Sequence, residues 1–138
     1  LRFIIDEILN SNPLAQVAVI GDMNGNPDDP EARILLRTTD ELNFDNKELY
    51  NPMLKFDKNT GSLTHYRNWI LFDQMLFSKS FFEHEEGGIR FESAHIFQHN
   101  SVRDWDKKFM GTPFRTYAGT KYLGGYSDHF PVYAILNY

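Results

Sequence analysis

Cysteine is absent from all 138 residues, which removes both a disulfide framework and a thiolate metal site. The absence leaves the redox compartment open, because disulfide-free secreted proteins are common. No stretch approaches the roughly 18 apolar residues that a membrane span requires, and the first residues lack the charged, apolar and small-residue order of a signal peptide. The chain therefore reads as soluble, either cytoplasmic or secreted. Basic residues are also in the minority: 14 Lys and Arg stand against 19 Asp and Glu, a net charge of -5. Strong sequence-independent DNA binding rests on cations that release counterions from phosphates. The balance argues against it while leaving room for a local basic groove.

What is present suits one globular domain. Hydrophobic residues at 41% and charged residues at 24% are ordinary for a folded soluble protein, and no repeat, low-complexity tract or linker divides the chain. The 12 Phe and 7 Tyr are many for the length and predict large side chains meeting between packed layers, as in a sheet-rich core. The sequence opens at Leu1, without Met and inside a helical pattern, so an upstream segment is expected.

Apolar residues at 1, 4, 5, 8 and 9 have the spacing of an amphipathic helix that ends at Asn12-Pro13. Val17 to Ile20 is a short β-branched run, predicted to be a central strand covered on both faces. Asp29-Pro30-Glu31 supplies the start of a second helix running to about Thr38. Turns at Asn51-Pro52 and Asn59-Thr60-Gly61 precede strands near Leu63–Tyr66 and Trp69–Ser78, with another near Ile89–Phe97. Gln98 to Tyr126 reads as a long loop with one helical turn around Asp104–Phe109, and Pro131 to Leu136 as the last strand. Loops of that length are often functional.

Three places carry chemistry. Asp22 and Asn24 lie two apart at the end of the first strand, where an extended backbone aims both to one side. A carboxylate there holds a hard cation or activates water, and an amide orients a phosphate oxygen. The competing reading is a turn whose side chains bond their own backbone. An EF-hand is excluded, because its sixth position would be Pro27 where Gly belongs and its twelfth Arg33 where Glu belongs. The second place is Ser127-Asp128-His129 ahead of the last strand. These three are no hydrolase triad, since adjacent side chains diverge. The third is Asp73, set inside the apolar run Trp69 to Phe77. A carboxylate buried there requires a partner, and His129 is the best candidate; the competing reading leaves Asp73 facing solvent on a sheet edge.

Gly21-Asp22-Met23-Asn24, then Asp73 in its apolar strand, then Ser127-Asp128-His129 before a terminal strand resemble the endonuclease/exonuclease/phosphatase superfamily, also called DNase I-like, in residue type, order and spacing. Trp69, Arg115-Thr116-Tyr117 and Tyr122-Leu123-Gly124-Gly125 extend the likeness over nearly the whole chain, which looks like a bacterial branch. The resemblance implies an α/β (α+β) protein, the C-terminal portion of a four-layer α/β/β/α sandwich. It implies hydrolysis of phosphoesters with Mg2+ or Mn2+ by in-line attack of water. Asp22 would orient or deprotonate that water, Asn24 would hold the acid or the phosphate, and Asp128 would join Asp22 and Asn24 at the metal. His129 would bind the scissile phosphate, with Asp73 behind it.

The superfamily's N-terminal half, with its principal metal carboxylate, would precede Leu1. The resemblance therefore implies weak metal binding and little activity for residues 1–138 alone, and self-association through surface that half would cover. The expected substrate is a phosphoester, either nucleic acid or a phosphorylated small molecule. Arg67, Arg103, Lys107, Lys108, Arg115 and Lys121 interleave with Trp105, Phe109 and Tyr117, where they either stack and bind substrate or form a solvated loop with aromatic anchors. A non-catalytic interaction module and a nucleic-acid binding module without chemistry stand as the competing functions.

Overall fold

A computed structural model describes residues 1–83 and 88–138. Helix α1 spans Arg2–Ser11, and the strands are β1 Ala18–Asp22, β2 Thr38–Thr39, β3 Leu49–Tyr50, β4 Leu63–His65, β5 Asn68–Ile70, β6 Asp73–Phe77, β7 Arg90–Ile96, β8 Tyr117–Ala118, β9 Lys121–Tyr122 and β10 Val132–Asn137. The protein is thus mixed α and β, with few helices and several small sheets. None of its described helices is long and apolar enough to cross a membrane.

Alternation along β6 organises the packing. Leu76 points to a cluster with Ile5 and Leu9 of α1, whereas its neighbours Met75 and Phe77 point to a second cluster shared with Phe91 and Ala94 of β7 and Val132 and Ala134 of β10. Successive strand residues face opposite sides, so one strand binds α1 on one face and the β7–β10 pair on the other. The result is three layers around a sheet of order β1-β6-β3-β2. Aromatic side chains close the second cluster: Phe91 meets Phe77 at 4.9 Å and Tyr50 at 5.6 Å between ring centroids.

The first strand differs from its expectation. β1 pairs with β6 alone and lies at the sheet edge, with Ile20 56% exposed. A short apolar run has the same sequence whether or not its second face is covered, which is why the run suggested a central strand. The helix also buries less than its spacing offers: Ile5 and Leu9 are enclosed, while Leu1, Ile4 and Ile8 remain exposed. The second helix is only a π-helical turn over Glu31–Leu35, followed at once by β2.

The run from Trp69 to Ser78 is two strands. β5 pairs with β4 in a hairpin, and after Leu71-Phe72 the chain re-enters the main sheet as β6. The turn of that hairpin, Tyr66-Arg67, has φ of 47° and 69°. Both residues occupy the left-handed region, at a cost on the order of 1 kcal/mol each for a residue with a Cβ. Residues 98–126 carry the hairpin β8–β9 and a bridge between Arg103 and Pro113. Around Asp104–Phe109 the chain makes hydrogen-bonded turns in place of a helix, Phe109 N–H to Asp106 O at 3.0 Å followed by Thr112 N–H to Phe109 O at 3.0 Å.

Candidate active site

Asp22 ends β1, Asp73 begins β6, and the register sets them directly opposite each other. Cross-strand partners project to one face with Cβ atoms about 4.5–5.5 Å apart, so two carboxylates share the end of the sheet. Like charges so placed repel, and each acid is held by donors. Asp22 Oδ1 accepts the Asn24 N–H at 2.8 Å. Asp73 Oδ2 accepts the Ser62 hydroxyl, and His129 Nδ1 donates to the same oxygen at 2.7 Å.

His129 reaches this position from the other sheet. It lies in the loop that leads into β10, and its own N–H donates to Ser127 Oγ at 3.0 Å. The next residue, Phe130, is 1% exposed, donates its N–H to Ser62 O at 2.6 Å and stacks on Trp69 at 5.8 Å. Ser62 therefore ties the two halves of the site: its hydroxyl holds Asp73 and its carbonyl holds the chain beside His129. With Nδ1 committed to a carboxylate, the ring direction and tautomer are fixed and Nε2 is the nitrogen left for a ligand. No hydrogen bond reaches Nε2 among the described residues. The side chains of His129 and Asp73 are 22% and 15% exposed, which keeps the pair partly shielded yet open to a ligand.

A buried amide chain fixes the loop after Asp22. Asn51 Nδ2 donates to Gln74 Oε1 at 2.8 Å, and Gln74 Nε2 donates to Gly25 O at 2.7 Å; both side chains are fully enclosed. Met23 N–H bonds Phe72 O and Leu71 N–H reaches Asn26 Oδ1, so the loop is also sewn to the break between β5 and β6. Glycine at 125 is needed for the loop on the other side. A Cβ there would lie 2.1 Å from Phe114 O, the oxygen that receives the N–H groups of Tyr126 and Ser127.

Of the residues singled out by sequence, Asp22, Asp73 and His129 come together. Asn24 does not follow the extended geometry: its φ is 51°, and it lines a cavity with Gln74 and Asp29. The expected side-chain partnership with Asp22 is replaced by a backbone one, because the strand ends at Asp22 and the chain turns. Asp128 is exposed, and its side chain makes no hydrogen bond or ion pair among the described residues. Ser62, Asn51 and Gln74 were not foreseen. Gln74 carried a signal, a polar side chain inside an apolar strand beside Asp73; Ser62 carried none.

Among the described residues, no group of three or more His, Asp or Glu side chains is gathered tightly enough to hold a metal ion. The donors present suit an open site of the magnesium kind, where one or two carboxylates bind and water and substrate phosphate complete the octahedron. They do not suit a closed protein cage.

The endonuclease/exonuclease/phosphatase family has a sequence profile that matches residues 1–138. No curated protein and no solved structure matches the chain.

Proposed function

Because the chain belongs to the endonuclease/exonuclease/phosphatase family, we propose that it hydrolyses phosphoesters by in-line attack of water with Mg2+ or Mn2+. The three layers would then form part of a four-layer α/β/β/α sandwich. One observation supports this most: an imidazole held through Nδ1 by a carboxylate, with a second carboxylate directly across the strand pair at the end of a sheet.

The roles follow from chemistry. His129, when protonated, donates from Nε2 to a non-bridging phosphate oxygen as charge develops. Asp73 fixes that ring through Nδ1 and Ser62 fixes Asp73, so neither reorganises during reaction. Asp22 receives a hydrogen bond from the attacking water, or its proton, at the oxygen that the Asn24 N–H leaves free. Asp22 and Asp128, with the Asn24 amide, are the residues proposed to hold the metal, which when bound polarises a phosphoryl oxygen. The substrate class, nucleic acid or phosphorylated small molecule, follows from no feature of the fold.

The competing function is a non-catalytic interaction module, favoured by the incomplete set of metal donors. Hydrolysis of bis-p-nitrophenyl phosphate and p-nitrophenyl phosphate separates the two. It is measured after chelation and again with added Mg2+ or Mn2+, for residues 1–138 alone and for the natural gene product at full length. Metal-restored turnover by the full-length protein that Asp22→Asn abolishes supports the hydrolase. Silence on both esters with either metal favours the module.

A further inference from the structure

We propose that the cavity between the β4–β5 hairpin and the 105–112 loop is a subsite for a second phosphate of the substrate, an inference that rests on the hydrolase reading above. Its volume is about 360 Å³, and Arg67, Trp69, Lys107, Lys108 and Phe109 are among its walls. Among the described residues, no acidic side chain lines it. In a chain of net charge -5, three cations around one cavity are a local reversal of sign, and a concave wall concentrates the field they make.

Arg67, Lys107 and Lys108 form no ion pair among the described residues. Lys108 Nζ lies 5.1 Å from the centre of the Phe109 ring, and the Arg115 guanidinium lies 5.5 Å from the same ring. Among the described residues Arg115 has no carboxylate partner, and its Nε is buried without a hydrogen-bond acceptor. The nearby acids accept backbone N–H groups of their own loop: Asp104 Oδ1 that of Asp106, and Asp106 Oδ1 that of Lys108. Both line an adjacent cavity, with Lys121, that shares Lys108 and Phe109 with this one.

Geometry connects this cavity to the reacting centre. Trp69 forms part of its wall and stacks at 5.8 Å on Phe130, the residue after His129. Trp69 thus joins the wall of the cavity to the chain segment that carries His129. The two-residue Tyr66-Arg67 turn of the hairpin, with both φ positive as such loops require, brings Arg67 to the cavity. Trp69 and Phe109 offer ring faces to a group that bridges the two phosphates.

The ligand chemistry is a phosphoester with a second phosphate, whether a small bisphosphate or a nucleotide strand. Calorimetry in EDTA would compare thymidine 5′-monophosphate, thymidine 3′,5′-bisphosphate and tetrathymidylate on the full-length protein. The comparison would be repeated with Arg67→Gln/Lys108→Gln, with Lys121→Gln as a control outside the cavity. The bisphosphate should bind about tenfold tighter than the monophosphate, as one new charge-assisted contact supplies. That ratio should fall to about one in the double variant and persist in the control. A further gain with tetrathymidylate, lost in the double variant, identifies the source as a strand; equal affinity for it and the bisphosphate identifies a small molecule. A ratio near one in the wild-type protein, or one unchanged by the double variant, overturns the subsite. Because no turnover is read, a silent ester assay with an intact ratio removes the hydrolase reading alone, and turnover with a ratio of one removes the subsite alone.

Discussion

His129 Nδ1 donates to Asp73 Oδ2 at 2.7 Å, joining the loop before β10 to the first residue of β6 across the boundary between two sheets. Everything proposed for the site depends on this bond, because it sets which imidazole nitrogen meets substrate.

Asp73→Asn tests the orienting role. The amide preserves size but offers either an oxygen or an NH2 group to Nδ1, so the tautomer is no longer imposed. We expect kcat to fall about 10- to 100-fold, the usual cost of removing such a supporting partner, with a nearly unchanged thermal midpoint. Proton and nitrogen NMR of His129 should show the Nδ1-H form in the wild type and a mixture in the variant. A tautomer that does not change would contradict the role.

Ser62→Ala removes a buried hydroxyl that donates to Asp73 and preserves the carbonyl that holds Phe130. Loss of one buried hydrogen bond to a charged group costs about 1.5–3 kcal/mol, readable as a lower urea midpoint at constant m-value. Ser62→Thr should recover less than half of that loss, since Ser62 is fully enclosed and has no room for a methyl group.

How much of this was visible in advance depended on whether the signal was local. The first helix, the last strand and the need of Asp73 for a partner all follow from periodicity or burial within a few residues. The split of Trp69–Ser78 into β5 and β6 does not, because that run contains no breaker. It divides because its first part pairs with β4 and its second with β1, a choice made by distant strands. The edge position of β1 and the role of Ser62 are non-local in the same way. Asn24 departs from extended geometry for a different reason: the strand ends at Asp22, whose side chain accepts the Asn24 N–H and turns the chain.

Gly125→Ala should disturb the site loop while the sheet core survives. The added Cβ would meet Phe114 O at 2.1 Å, and backbone must shift to admit it at a cost of about 1–3 kcal/mol. Hydrogen exchange should accelerate at Tyr126 and Ser127, whose N–H groups bond that oxygen, and remain slow at Met75 and Leu76. Fast exchange across β6 as well would show that the loop and core unfold together.

At the opposite face, the hydrogen bond from Arg2 holds the Asp6 carboxyl below its usual 3.8. A lowered folded value means that this bond stabilises the protein above about pH 3.8 and is lost as pH falls through the lower value. Thermal midpoints of wild type and Asp6→Asn should differ by a constant amount above about pH 5 and converge in stronger acid. A difference that grows on acidification would contradict the sign.

The most direct measurement is kcat/KM for bis-p-nitrophenyl phosphate with Mn2+ in the full-length protein and its His129→Ala variant. The account predicts metal-dependent turnover that falls about 10²- to 10³-fold with the substitution, as for loss of one group that stabilises transition-state charge, while the variant remains folded. Turnover that is unchanged in the His129→Ala protein would contradict it, because the reacting phosphate would then lie elsewhere.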